Sequence, residues 1–214
     1  MSVVDTQILT DSWIPMAWDS FLSYGSLPEL EKAKGYYFQG HGRFEMLPVG
    51  RGHAGDHALT SNAINLFCIL KSIPMRMFDN CSYRKAGYDE CQPDLSVYVG
   101  DNANKVPATG GVVYLDKSPV PDLAVEISKT SILDDLGTKR SLYEALGFAE
   151  YWVVNVESME VTAFEIAGQG SQRIRTSALL PGFEMAVLEE ALRRSREMDQ
   201  MQVGAWLLET FQAS

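Results

Sequence analysis

One stretch constrains this 214-residue chain more than any other: "PDLAVEISKTSILDDLGTKRSLYEALGFAEYWVVNV", residues 121–156. It opens on an alternating apolar run, passes through a helical pattern and closes on a second apolar run. Leu123, Val125 and Ile127 share one face of the first run, because side chains two apart in a strand point the same way. Ser131 followed by Asp134 gives a capping-box signal, and Gly147 stands where a helix C-cap belongs. Strand, helix and strand in that order predict a βαβ unit with a right-handed crossover. The expected class is α/β, with a mixed central β-sheet flanked by helices.

Elements around this unit are also legible. "YYF" and "RFEML" flank "QGHG", which predicts a hairpin of Tyr36–Phe38 with Arg43–Leu47. "HAGDHALTSNAINLFCILKSI" carries apolar residues at helical spacing, and Pro74 stops the run. Further strands are predicted at Met75–Asp79, Ser82–Lys85, Asp94–Val99 and Gly111–Leu115, with residues 100–110 as a polar surface loop. "EVTAFEI" and "SQRIRT" predict two more antiparallel strands. We divide the chain into a domain over residues 1–186 and a C-terminal amphipathic helix over 187–214, packed on the domain or on a dimer partner.

Asp122 and Glu126 lie off the apolar face of the first strand, four residues apart. Burying an unpaired carboxylate is costly, so such acids are paired, protonated or metal-bound. Lys139 sharpens the question. On a wheel of about 100° per residue, Ile132, Leu136, Tyr143 and Leu146 fall on one side of the helix, with Lys139 among them. A lysine can snorkel out of an apolar stripe. Its central place also lets it meet carboxylates on the sheet, as both catalytic sites and structural ion pairs do. "CQPDLSVYVG" adds Asp94 at a strand start, just after Pro93, where proline is tolerated.

If those two strands are neighbours, Asp94 and Glu126 converge. Two close carboxylates repel, and a divalent cation relieves the repulsion. Two acids and a lysine around a metal form a hydrolytic set. The metal polarises a phosphoryl oxygen and lowers the pKa of a bound water. The lysine orients or deprotonates that water, or stabilises the developing charge.

Composition sets outer limits. A net charge of −10 argues against a broad basic surface for nucleic acid, though it leaves room for a local basic groove. No apolar run approaches the ~20 residues that span a bilayer. The N-terminus lacks the basic-then-apolar order of a signal peptide, so the expected location is cytoplasmic, with no membrane contact. Cys68, Cys81 and Cys91 read as reduced thiols, although Cys81 and Cys91 could meet across a hairpin. No CxxC or clustered Cys/His set suggests structural zinc.

A Pro-Asp on one strand, an acid on the next and then a lysine resembles the PD-(D/E)xK nuclease superfamily. In that pattern the lysine stands two residues after the second acid. Here Ser128 holds that position and Lys129 follows it, pointing to the wrong face. Lys139 corresponds to a migrated lysine, a variant of that superfamily. "YYFQGHGRFEMLPVGRGH", "CQPDLSVYVG", the long stretch ending in "EYWVV", and "LPG" resemble the Uma-two family of restriction-endonuclease-like proteins. The resemblance runs from about residue 35 to 183. It implies a restriction-endonuclease-like fold and an active site of Asp94, Glu126 and Lys139, with Glu45 as a further acid.

The expected function is therefore a Mg²⁺- or Mn²⁺-dependent endonuclease acting on DNA as a homodimer. Asp94 and Glu126 bind the metal, Lys139 acts on the attacking water and Glu45 assists. The alternative is a catalytically inactive nuclease-fold module that binds nucleic acid or protein.

His53, Asp122 and Ser128 are accessory candidates. His53 reads equally as a site residue or a helix-entry cap, and an exposed helix start is preferred to a His53/His57 metal pair. Asp122 reads also as a strand-end cap. Asp134 and Asp135 read as acids suited to a helix N-terminus. Tyr143, Tyr151 and Trp152 read as core. Arg193, Arg194 and Arg196 read as a solvated helix face.

Overall fold

Alternating burial and two-residue turns build the first layer. The computed structural model describes residues 10–46, 50–106, 110–168 and 170–213. Strand β1 (Ile14–Pro15) and helix α1 (Trp18–Gly25) precede the hairpin β2 (Ala33–Phe38) and β3 (His41–Met46). Gln39 and Gly40 both take positive φ at its tip, as a tight two-residue hairpin turn requires. The predicted end of β3, Leu47, lies outside the described residues.

Helix α2 (Arg51–Leu70) follows, and then β4 (Met75–Asp79), β5 (Tyr83–Lys85), β6 (Asp89–Cys91), β7 (Leu95–Val99) and β8 (Val113–Tyr114). The predicted polar loop 100–110 instead opens with a 3₁₀ turn, Gly100–Asn104, which buries Ala103. Strand β9 (Leu123–Ser128) leads to helix α3 (Ile132–Asp134), a π turn (Asp135–Lys139) and helix α4 (Arg140–Leu146). Strands β10 (Glu150–Asn155), β11 (Val161–Ala167) and β12 (Gly170–Ile174) come next, and helices α5 (Met185–Arg194) and α6 (Gln200–Ala213) end the chain.

The expected mixed α/β architecture is present, its strands divided between two mixed sheets flanked by helices. One has the order β1-β3-β2-β6-β5-β8 and the other β12-β11-β10-β9-β7-β4. In the second sheet β9 runs parallel to β10 and antiparallel to β7, with Glu126 opposite Val153 and Val125 opposite Leu95.

All six residues of β9 are buried, because both faces of its sheet are covered. Leu123, Val125 and Ile127 pack with Phe67 of α2, Leu188 of α5 and Phe211 of α6. Ala124 belongs to a second core on the opposite face, with Tyr36 from β2 and Leu142 and Tyr143 from α4. The even-numbered positions of β9 thus face the space between sheet two, the hairpin and α4. That space holds the site.

Three local expectations need correction. The helix over 131–147 is not regular: the π turn Asp135–Lys139 interrupts it and buries both of its end residues. Ser131 is no capping-box residue, since its backbone is not extended and its hydroxyl donates to Asp135 Oδ2 at 2.7 Å. The C-terminal segment is two helices rather than one, broken over 195–199, and its Val203, Leu207 and Phe211 sit in the main core. Gly147 takes φ 85° as the left-handed C-cap of α4.

Candidate active site

Five elements bring charged side chains into the buried space beside β9. Glu126 comes from β9 itself. Asp94 lies just before β7, the neighbouring strand. Lys139 closes the π turn, Glu45 comes from β3 and Lys34 from β2. Lys34, Asp94, Glu126 and Lys139 are all buried, with at most 3% of any of them exposed. So many charges persist out of water only because they compensate one another.

Lys139 Nζ lies 2.9 Å from Glu45 Oε2, 2.9 Å from Asp135 Oδ1 and 3.7 Å from Glu126 Oε1. These are ion-pair contacts, since neither Lys139 Nζ nor Asp135 Oδ1 completes an aligned hydrogen bond. The ammonium also stands 4.3 Å from the centre of the Tyr36 ring, a cation–π contact. Burial alone would lower the pKa of Lys139, but Glu126, Asp135 and Glu45 together raise it above the ordinary lysine value. Lys139 is therefore a fixed cation at neutral pH, not a proton acceptor.

Lys34 is the residue that sequence reasoning missed. Its Nζ is 2.5 Å from Asp94 Oδ1 and 4.0 Å from Glu126 Oε2. Asp94 Oδ2 accepts the Ile127 N–H at 2.7 Å and has His53 Nε2 at 3.6 Å. Burial works to raise Asp94, yet Lys34, His53 and the Ile127 N–H hold it below the usual carboxylate range. One signal for Lys34 exists in "AKGYYF": it shares a strand face with Tyr36, two residues on, so it belongs on the buried side of the hairpin.

Glu126 is tuned the other way. Tyr143 donates to its Oε1 at 2.6 Å and the Tyr36 hydroxyl lies 3.1 Å from the same oxygen. Burial pushes Glu126 up to about 8, with Lys139 and Lys34 pulling against it and Asp94 and Asp135 adding to the rise. Neighbouring acids are thus driven apart in pKa, which is how a site assigns different roles to two carboxylates.

Glu45 is the acid that reaches open space. It lines a cleft of about 290 Å³ together with Arg43, His53, Ile127, Lys129 and Ser131. Burial raises its pKa, but Lys139, Lys34 and Arg43 lower it further, so the net shift is downward. Arg43 lies 3.2 Å from Glu45 Oε2 and 3.2 Å from Asp134 Oδ2.

The other candidates divide. His53 is buried rather than part of an exposed helix start, because α2 enters directly over Asp94. Its neighbour His57 has Nε2 3.2 Å from the Asp94 backbone oxygen and 3.3 Å from Asp79 Oδ1. Ser128 is buried beside Ser131, 3.4 Å between hydroxyls. Asp122 does not join the cluster: it accepts the Val99 N–H at 2.7 Å and the Asn102 amide at 2.8 Å.

Asp134 and Asp135 are not dipole-serving surface acids. Asp134 takes the Trp13 indole N–H at 2.6 Å, and Asp135 pairs with Lys139. Tyr143 is core, as read, but its hydroxyl belongs to the site. Arg196 is exposed as read, but it also makes a bidentate pair with the buried Asp56.

A divalent ion has a plausible seat by one test. An ammonium already lies between Asp94 and Glu126, so the chemistry of that pair attracts a cation. Among the described residues, no three His, Cys, Asp or Glu side chains are grouped to hold a metal by themselves. Water or substrate oxygens would complete the coordination of a hard cation here.

Residues 21–201 match the Uma2 family model, described as "Putative restriction endonuclease". The chain belongs to the Uma2 family. Among solved structures it is similar to a protein from Anabaena variabilis ATCC 29413, titled a putative nuclease belonging to DUF820. That match has a TM-score of 0.55 and 20% identity, and covers 91% of this chain and all of the other. It shows that this Uma2 chain shares the fold. No curated protein matches the chain. No described helix is long and apolar enough to cross a membrane.

Proposed function

We propose that this Uma2 protein is a divalent-metal-dependent endonuclease that hydrolyses DNA phosphodiester bonds. The observation that carries the proposal is one cluster beside a cleft, in which Lys139 meets Glu45 and Glu126 while Lys34 links Glu126 to Asp94. Structural ion-pair networks share this clustering of buried charge, and it is the adjoining cleft lined by Glu45 that favours a functional site here.

Asp94 and Glu126 would hold Mg²⁺ or Mn²⁺, and the ion, when bound, would polarise the phosphoryl oxygen. Lys139, fixed as an ammonium by its three acids, orients the attacking water and stabilises the negative charge that develops on phosphate. It does not deprotonate that water. Glu45 meets the cleft and would assist by holding Lys139, and the water's proton would leave to solvent through the cleft. Arg43 and Lys129 line the same cleft and suit a phosphate backbone.

The test is nicking of supercoiled DNA by purified protein with Mg²⁺ or Mn²⁺. Glu126→Gln and Lys139→Met should abolish nicking, with circular dichroism confirming that each variant is folded. Nicking that survives Glu126→Gln in folded protein overturns the assignment.

A second reading, an inactive module on the same fold, has one observation in its favour. Lys34 already neutralises Asp94, and Asp94 and Glu126 are closed to solvent. Folded wild-type protein that binds DNA but never nicks it, with any divalent metal, supports that reading.

A further inference from the structure

The proposed metal pair is already in contact with a cation of the chain's own. Lys34 Nζ lies 2.5 Å from Asp94 Oδ1 and 4.0 Å from Glu126 Oε2, so it stands against both carboxylates. Its anchor is rigid. Lys34 sits within β2, paired with Glu45 of β3, and its neighbour Tyr36 hydrogen-bonds the Gln92 carbonyl at 2.8 Å. The arm itself is long and flexible, and its ammonium can leave without moving the strand.

We infer that Lys34 is a tethered competitor for the divalent-ion site: it pairs with Asp94 and stands against Glu126 when no metal is bound, and a metal must displace it to reach them. The inference rests on the metal-site reading above. Two arguments support it. A divalent ion and the Lys34 ammonium cannot both occupy the space against Asp94 Oδ1, because like charges a few ångström apart in a buried site repel strongly. And among the described residues Lys34 is the one lysine or arginine at ion-pair distance from Asp94, so without it the pair would be left with too little positive charge when the metal is absent. Lys139 cannot take over, since Glu45 and Asp135 hold it at 2.9 Å each.

This arrangement makes the metal-free protein stable and its metal affinity modest. It also sets Lys34 apart from Lys139. Lys139 remains in place when metal enters and serves the reaction, whereas Lys34 leaves.

The experiment measures Mn²⁺ binding directly by calorimetry at fixed pH, independent of any nuclease assay. Lys34→Gln and Lys34→Met should bind Mn²⁺ roughly tenfold or more tightly than wild type, about 1.4 kcal/mol or more. Lys34→Arg, which keeps the charge, should bind no tighter than wild type. The melting temperature of Lys34→Gln should be lower without metal and should rise more steeply with Mn²⁺. Binding seen only after Lys34 is replaced is the limit of the same competition and supports it.

Equal or weaker Mn²⁺ binding by Lys34→Gln, with wild type binding normally, overturns the inference and leaves the metal site standing. No binding by any of the proteins overturns the metal-site reading itself, and the inference with it. Where Lys34→Gln and Lys34→Met fail to fold, hydrogen exchange of the Lys34 ammonium is followed in wild type by NMR. Exchange that quickens as Mg²⁺ binds supports displacement; unchanged protection at saturating Mg²⁺ overturns it.

Discussion

Tyr143 donates its phenolic hydrogen to Glu126 Oε1 at 2.6 Å, and both residues are closed to solvent. A helix residue thereby fixes the carboxylate of a strand residue seventeen positions earlier. Tyr36 stands near the same oxygen, but its single hydrogen has a closer acceptor in the Gln92 carbonyl, 2.8 Å against 3.1 Å. Tyr143→Phe should therefore cost stability, roughly 1–3 kcal/mol, as expected when a buried acceptor loses its donor. Urea denaturation measures it. Tyr36→Phe, which leaves the Tyr143 bond in place, should perturb Glu126 less. An equal effect of both variants on the Glu126 carboxyl signal would contradict this ranking.

The same carboxylate predicts a pH dependence. Burial pushes Glu126 up to about 8, so between its ordinary carboxylate pKa and that value the folded chain holds a proton the unfolded chain has lost. Where the folded state binds more protons, stability falls as pH rises. Asp94 and Glu45 are shifted downward, so they are ionised in both states through this window and add no slope. From about pH 5 to 8 wild type should lose stability relative to Glu126→Gln, whose side chain cannot ionise. Urea midpoints at both ends of the window check the sign. Metal affinity should rise over the same range, because the metal needs the ionised form.

How much of this could be read from the chain turns on where each residue's partners lie. The βαβ unit is legible because strand, helix and C-cap signals sit within one continuous stretch. Asp94 is legible because it follows Pro93 at a strand start, and Glu126 because it stands within an apolar strand. Lys139 stands out for the same reason on a helical wheel, although the π turn that delivers it leaves no periodic trace. Lys34 is harder. Its partners are sixty and ninety-two residues away, and the strand face it shares with Tyr36 marks it as buried without showing which acids it meets. The assembly of the first sheet is also hidden, since β1, β5, β6 and β8 are too short for a period to show how they pair.

Lys139 carries a heavy structural load, which bears on how its variants are read. It is in contact with Glu45, Asp135 and Glu126, and removing it strands three acids in a buried space. Lys139→Met should destabilise the protein by about 3–5 kcal/mol, the usual cost of breaking a buried ion pair from one side. Adding Asp135→Asn should recover part of that loss, since one of the stranded charges is gone. Thermal denaturation of the single and double variants measures the coupling. Strict additivity would mean the two residues do not act as a pair.

The C-terminal arginines give a contrast that separates buried from surface pairing. Arg196 clamps Asp56 at 2.6 and 2.7 Å, and Asp56 is fully buried in α2. Arg193 meets Glu190 on the outside of α5, with about half of its own side chain exposed. Surface pairs contribute at most about 1 kcal/mol, because water and salt screen them. Arg196→Ala leaves a carboxylate stranded in the core, and the cost should be larger. Arg196 is itself more than a third exposed, so we expect roughly 2–3 kcal/mol rather than the full value of a closed pair. Arg193→Ala should fall within about 0.5 kcal/mol of wild type. Urea denaturation of the two variants side by side decides it. The Arg196 loss should persist in high salt, and a loss that disappears there would place Asp56 in contact with solvent.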